Sequence, residues 1–141
     1  MSKITDYFNE LQITALAHPS VASVDKIRET EDQKENIGIY RYRIYMKNGD
    51  LLEMTERVKI EAGEFVVTKY RHHWQDKCGQ IKKRWDNAPH HPELDNFPHH
   101  IHDGSEENVK SHPPVNAMMV LRLVLSSPEL TFNRVDYGSE E

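Results

Sequence analysis

Residues 85–102 read WDNAPHHPELDNFPHHIH, five histidines set among three prolines. Imidazole is the side chain whose charge changes closest to neutral pH, so a cluster of rings can move protons or, when neutral, ligate a metal. Three chemistries fit this run. Cleaving RNA through attack of a 2′-hydroxyl needs a base, an acid for the leaving oxygen and cations for the charge that builds on phosphorus. His90, His91, His99, His100 and His102 are the candidates for those proton transfers, with Asp86 orienting one ring, and no cofactor is required. A metal site is the second. In an extended chain His100 and His102 project to one side, and with His90 (or His91) they offer three ligands to zinc or another divalent ion. Neither an HExxH nor a paired CxxC accompanies them, and the single Cys78 is not an expected ligand. The third reading is structural: the rings bond backbone groups and pin a Pro-rich loop to its support.

Cations lie just upstream. Residues 69–85 carry Lys69, Arg71, Lys77, Lys82, Lys83 and Arg84 against Asp76 alone, a local +5 in a chain of net charge −5. A basic block inside an acidic protein points to a directed contact with an anion. Lys69, Arg71, His73, Trp74, Lys82 and Arg84 are the candidate nucleic-acid contacts, with Arg71, Lys82 and Arg84 on phosphate. Tyr70, Trp74 and Trp85 can stack on unpaired bases or pack in a core. The bland alternative for the block is a solvated sheet face.

These residues need elements to hold them. "ITDYFNELQITALAHP" predicts a helix with Thr5 as cap and Tyr7, Phe8, Leu11 and Leu16 as its buried stripe, stopped by Pro19. Residues 21–32 form a first strand of weaker pattern. Three strand-like runs follow, divided by Asn48-Gly49 and Ala62-Gly63. Alternation favours a three-residue turn, Lys47 to Gly49, which opposes Ile44 to Leu52, Tyr42 to Met54 and Arg43 to Glu53. The same logic at Glu61 to Gly63 opposes Val58 to Val66, Met54 to Tyr70 and Glu53 to Arg71. One face then carries Tyr42, Ile44, Leu52, Met54, Val58, Val66 and Tyr70. The other carries Arg41, Arg43, Arg57, Lys69, Arg71 and His73. "QIKKRWD" adds a strand. From 86 to 114 periodicity stops and five prolines interrupt the chain, so a His/Pro-rich loop is expected there, with a brief edge strand near 107–112. Residues 115–127 form a helix, apolar nearly all round, with Pro114 at its start and Pro128 past its end. A helix of that kind packs on the sheet or in a homodimer contact.

The stretch 69–102 resembles the TumE-type toxin family of prokaryotic toxin–antitoxin systems. The resemblance is carried by the Tyr/Arg/His-rich strand Tyr70 to His73, the D-x-x-G turn of Asp76 and Gly79, the D-N-A-P-H-H of Asp86 to His91, and the P-H-H-x-H of Pro98 to His102. It implies a toxin neutralised by a cognate antitoxin, and a basic residue at the position held here by Ile101.

No secretory pattern opens the chain, no apolar run is long enough to span a bilayer, and one cysteine forbids an internal disulfide, so a cytoplasmic protein without a membrane role is expected. The expected fold is a single α+β domain over 1–141. An N-terminal helix and an antiparallel meander of four to six strands fill 1–85, followed by the loop at 86–114, a C-terminal helix packed on the sheet at 115–127 and a tail at 128–141. The function that follows is a toxin acting on RNA. The alternative is a non-catalytic metal-binding or protein-interaction module built on the histidine loop.

Overall fold

The computed structural model describes residues 2–127; the tail at 128–141 and the stop at Pro128 lie outside them. Helix α1 (Lys3–Ala17) is capped by Ser2, whose hydroxyl accepts from the Thr5 amide at 3.0 Å. The cap is therefore three residues earlier than Thr5. That start sets the phase of the buried stripe, Ile4, Phe8, Leu11 and Ala15. Tyr7 falls on its flank, and Leu16, expected inside it, is 59% exposed. The helix crosses the sheet at Gly38, where an added Cβ would come 2.5 Å from Ile4 Cγ2. Only glycine lets the helix sit that close.

The sheet has seven antiparallel strands in chain order: β1 (Val21–Asp32), β2 (Ile37–Met46), β3 (Leu51–Glu61), β4 (Glu64–Gln75), β5 (Ile81–Asp86), β6 (His100–Asp103) and β7 (Val109–Ser111). The count exceeds the expected four to six because the 86–114 segment is not all loop. No proline falls inside β6 or β7; Pro98 and Pro113 flank them. The prolines mark limits of pairing and do not prevent it. Strand β6 joins β5 with His100 opposite Asp86 and His102 opposite Arg84.

The first hairpin has the expected register, Ile44 opposite Leu52 and Tyr42 opposite Met54, with Gly49 left-handed at φ 96°. The second does not. Ala62 and Gly63, at φ 52° and 80°, make a two-residue turn between Glu61 and Glu64, the geometry that matches strand twist. A bulge follows: Arg57 pairs Lys69 but Val58 pairs Val67, leaving Thr68 unpaired. Its hydroxyl accepts from Arg57 Nη1 at 2.8 Å. Turn and bulge together move the register by two residues, so Met54 faces His72 instead of Tyr70, and Glu53 faces His73 instead of Arg71. An even shift keeps the faces. Tyr70, His72 and Trp74 are buried, whereas Val66, expected in the core, is exposed.

Helix α2 (Ala117–Leu125), capped by Asn116, joins α1 on one face of the sheet and buries Ala117, Val120, Leu121, Val124 and Leu125. A carboxylate sits in that core. Glu56 is fully buried, accepting from Tyr7 Oη at 2.6 Å, Tyr40 Oη at 2.9 Å and the Ala117 amide at 2.9 Å. It ties α1, β2, β3 and the start of α2 together, and its anion suits a helix N-terminus. Burial beside that carboxylate pushes both phenols far up. No described helix is long and apolar enough to cross a membrane.

Candidate functional site

The face turned away from the helices is built from ladder rows. One row runs Arg28, Arg41, Thr55, Arg71, Asp86, His100 and Ser111, one residue from each strand. Beside it run Arg43, Glu53, His73, Arg84, His102 and Val109. Side chains in such a row share a face and stand about 4.8 Å apart. Where the rows reach β5 and β6, the turn segment after Asp86 folds over them and encloses a pocket of about 640 Å³. Its walls include His90, His91, His100, His102 and Asp86 together with Lys69, Arg71 and Arg84.

Three imidazoles converge there. Ring centroids lie 5.0 Å apart for His91–His100 and for His100–His102, and 6.1 Å for His91–His102, all edge to face. One ligand-type nitrogen from each lies within 4.8 Å of the others. His91, not His90, completes the trio; His90 lines the pocket from its exposed rim. The doublet's turn aims His91 at the other two rings and leaves His90 at the rim.

Hydrogen bonding fixes the proton positions. His100 Nδ1 lies 2.9 Å from Pro98 O, and His102 Nδ1 lies 2.9 Å from Glu106 O. Carbonyl oxygens only accept, so each ring carries its proton on Nδ1 and donates it. The Nε2 atoms then face Asp86, His100 at 3.0 Å from Oδ1 and His102 at 3.6 Å from Oδ2. A bare lone pair against a carboxylate repels. A proton shared between Nε2 of His100 and Asp86, or a cation bridging them, relieves that contact. His91 is less committed: its Nδ1 is 3.6 Å from the exposed carboxylate of Glu93.

The cations are held in specific ways. Arg84 forks both its Nη atoms onto Glu106 and sets Nε 3.5 Å from Asp86 Oδ2. The guanidinium holds the Glu106 carboxyl below its usual range. Glu53 takes Arg41 Nη2 at 3.1 Å and Arg43 Nε at 2.8 Å, with Arg71 Nη1 at 3.9 Å. Burial pushes the Glu53 carboxyl up, but the Arg43 and Arg41 contacts outweigh it and leave it low. His73 stands opposite Arg84, its Nε2 3.0 Å from Gln75 Oε1. Burial drives this imidazole down against that bond, and Arg71 and Arg84 add to the effect.

Three candidates lie elsewhere. His99 is across the sheet, its Nδ1 3.0 Å from Tyr70 Oη. Burial pushes that phenol up to about 12 and the His99 ring down, so the hydroxyl donates to a neutral imidazole. Trp74 is buried on the helix side and donates Nε1–H to Asp50 at 3.0 Å. Lys82 lies 4.8 Å over the Trp74 ring and 3.3 Å from the same Asp50. Trp85 is core. Neither tryptophan is open to a base, and Lys82 points away from the pocket. Ile101 also faces the core, opposite Trp85, so a cation at that position would not start on the histidine side. The pocket residues that sequence reasoning missed include Arg28 and Thr55. The signal for Thr55 was its phase, two residues from Arg57 and Glu53. For Arg28 no clean signal exists, because β1 changes register between Lys26 and Arg28.

No curated protein and no solved structure matches the chain. A family model does, that of toxin TumE, over residues 12–129, which take in every strand and the described C-terminal helix. The chain belongs to the toxin TumE family.

Proposed function

We propose that this toxin acts on RNA, cutting the phosphodiester by proton transfer in the histidine pocket, and that a cognate antitoxin restrains it in the cytoplasm where RNA is found. The observation that supports this reading most is the meeting of His91, His100, His102 and Asp86 in one pocket with Arg71 and Arg84 on its wall. His100, clamped between Pro98 O and Asp86, is the positioning ring. His102 is looser on Asp86 and His91 looser still. These two are the pair free to exchange protons with a 2′-hydroxyl and a leaving 5′-oxygen. Arg71 and Arg84 offer charge to the phosphorane. In a growth-arrest assay with primer extension on total RNA, His91→Ala and His102→Ala each lower cleavage about 100-fold or more. Folded variants as toxic as the parent would remove the pocket from the mechanism.

One observation favours a second reading. An Nδ1–H given to a backbone carbonyl, with Nε2 aimed at a shared centre, is the outer-shell pattern of metal-bound histidine. Both His100 and His102 show it. The nitrogens, up to 4.8 Å apart, would close to roughly 3.3 Å around zinc at bond lengths of about 2.0–2.1 Å. Elemental analysis of untagged protein after dialysis separates the two. A stoichiometric divalent ion, with activity lost to a chelator, replaces the metal-free mechanism by a metal-assisted one.

A further inference from the structure

The row that delivers Asp86 and His100 to the pocket does not begin there. It begins five strands away at Arg28, on the edge strand β1, and passes through Arg41, Thr55 and Arg71. Five inter-strand steps make a path of about 24 Å. At its far end a second hollow of about 500 Å³ is lined by Ile27, Arg28, Ile39, Arg41, Glu53 and Arg71. Arg28, Ile39, Thr55 and Arg71 line both hollows. The two therefore form one groove across the strands.

We propose that this groove is the track for an unpaired RNA strand, seated across the sheet with Arg28 as a distal phosphate clamp. The inference rests on the RNA reading of the histidine pocket and adds the substrate class: single-stranded, and on the order of four nucleotides or more, the lower end of site sizes for such surfaces. Charge complementarity carries it. The groove floor presents Arg28, Arg41 and Arg71 in one line, with Arg57 and Lys69 in the next. A duplex would need two cation tracks flanking a groove, and here the cations form a band that ends at the chemistry.

The arginines differ in how far they are committed. Glu53 grips Arg41 and Arg43 and reaches Arg71, which aligns their guanidiniums but offsets part of their charge. Arg28 has no ion pair among the described residues and is exposed. Its charge, like those of Arg57 and Lys69, is not offset by an ion pair among the described residues and is available to a phosphate, although it is the farthest from the reacting centre. Ile27 and Ile39 give that end an apolar floor against which a base can lie.

The test measures binding of oligouridylates of two, four and eight nucleotides to the full chain by fluorescence anisotropy, over a salt series, in the Asp86→Asn background so that RNA survives. Affinity should climb from two to eight nucleotides. Arg28→Ala should weaken the eight-mer about tenfold, flatten that climb, and reduce the salt slope by about 0.7, the amount due to one phosphate no longer neutralised. Arg28→Lys should recover most of both. An eight-mer bound equally by Arg28→Ala overturns the track while leaving the pocket reading intact. A duplex of matched length that binds as tightly overturns the single-strand assignment. A hexaglutamate peptide that loses affinity on Arg28→Ala while the eight-mer does not makes the face a protein-docking surface. Failure of every oligonucleotide to bind removes the RNA reading along with the track.

Discussion

Two histidine–carboxylate pairs sit on opposite faces of the same sheet. On the helix side His72 Nε2 lies 3.7 Å from Glu56, with both side chains fully buried. On the open side His100 Nε2 lies 3.0 Å from Asp86. Glu56 is saturated by two phenols and a backbone amide that come from α1, β2 and α2, so nothing is left for a substrate. Both nitrogens of His72 lack a hydrogen bond among the described residues. That ring is packed in the core, away from the pocket. Asp86 instead has two imidazoles and a guanidinium around it and a pocket in front. Both carboxylates are buried and well supplied with partners, but Glu56 is closed inside the core whereas Asp86 lines an open pocket.

The largest effect expected from this contrast is on stability. Glu56→Ala leaves Tyr7, Tyr40 and the Ala117 amide without their acceptor in a closed core. Each buried orphan costs about 1–3 kcal/mol, so urea unfolding should show a loss of about 3 kcal/mol or more. Glu56→Gln keeps a carbonyl for the phenols but turns an amide donor toward Ala117 N–H, and should fall between. If Glu56→Ala unfolds at the parental midpoint, the carboxylate is not the tie it is argued to be.

The mirror experiment is Asp86→Asn. The amide has nearly the same shape and can still accept from the Ala88 amide, so stability should fall by less than in Glu56→Ala in the same assay. RNA cleavage should drop about 100-fold, since the ring that Asp86 positions loses its anion. A variant that loses stability and keeps activity would invert the assignment of the two faces.

Much of this contrast was written in alternation. Arg41, Arg43, Lys69, Arg71 and His73 share the open face as their spacing says, and His100 and His102 share a side for the same reason. Glu56 carried a signal that was overlooked: it stands between Met54 and Val58 in the phase of the core, where a carboxylate must find donors or be expelled. Other positions were illegible for physical reasons. The two-residue turn displaces the register by one, which turns Val66 out of the core, and the Thr68 bulge adds a second step, which restores the faces beyond it with each partner moved by two. His90 and His91 differ only in how a short turn aims them, and no periodicity reports that. Lys82 turns toward Asp50 because pairing slips at the β4–β5 end, with Trp74 opposite Lys83 but Gln75 opposite Ile81.

The smallest expected effect sharpens the comparison on the open face alone. Glu53 is held low by Arg43 and Arg41 despite the opposing pull of burial. A carboxyl whose folded value is depressed contributes stability that is fully present above its unfolded value of about 4.3 and is lost as pH falls through the folded one. Unfolding midpoints should therefore decline below about pH 4.3, and Glu53→Gln should decline less steeply. The partners Arg41 and Arg71 are themselves about half exposed at their side chains, 44% and 51%, so solvent screens the pair and the difference should stay below about 1 kcal/mol. Salt separates this from the core. Added potassium chloride should reduce the Glu53 contribution, whose arginine partners reach solvent, while the cost of Glu56→Ala, which is buried hydrogen bonding, should persist.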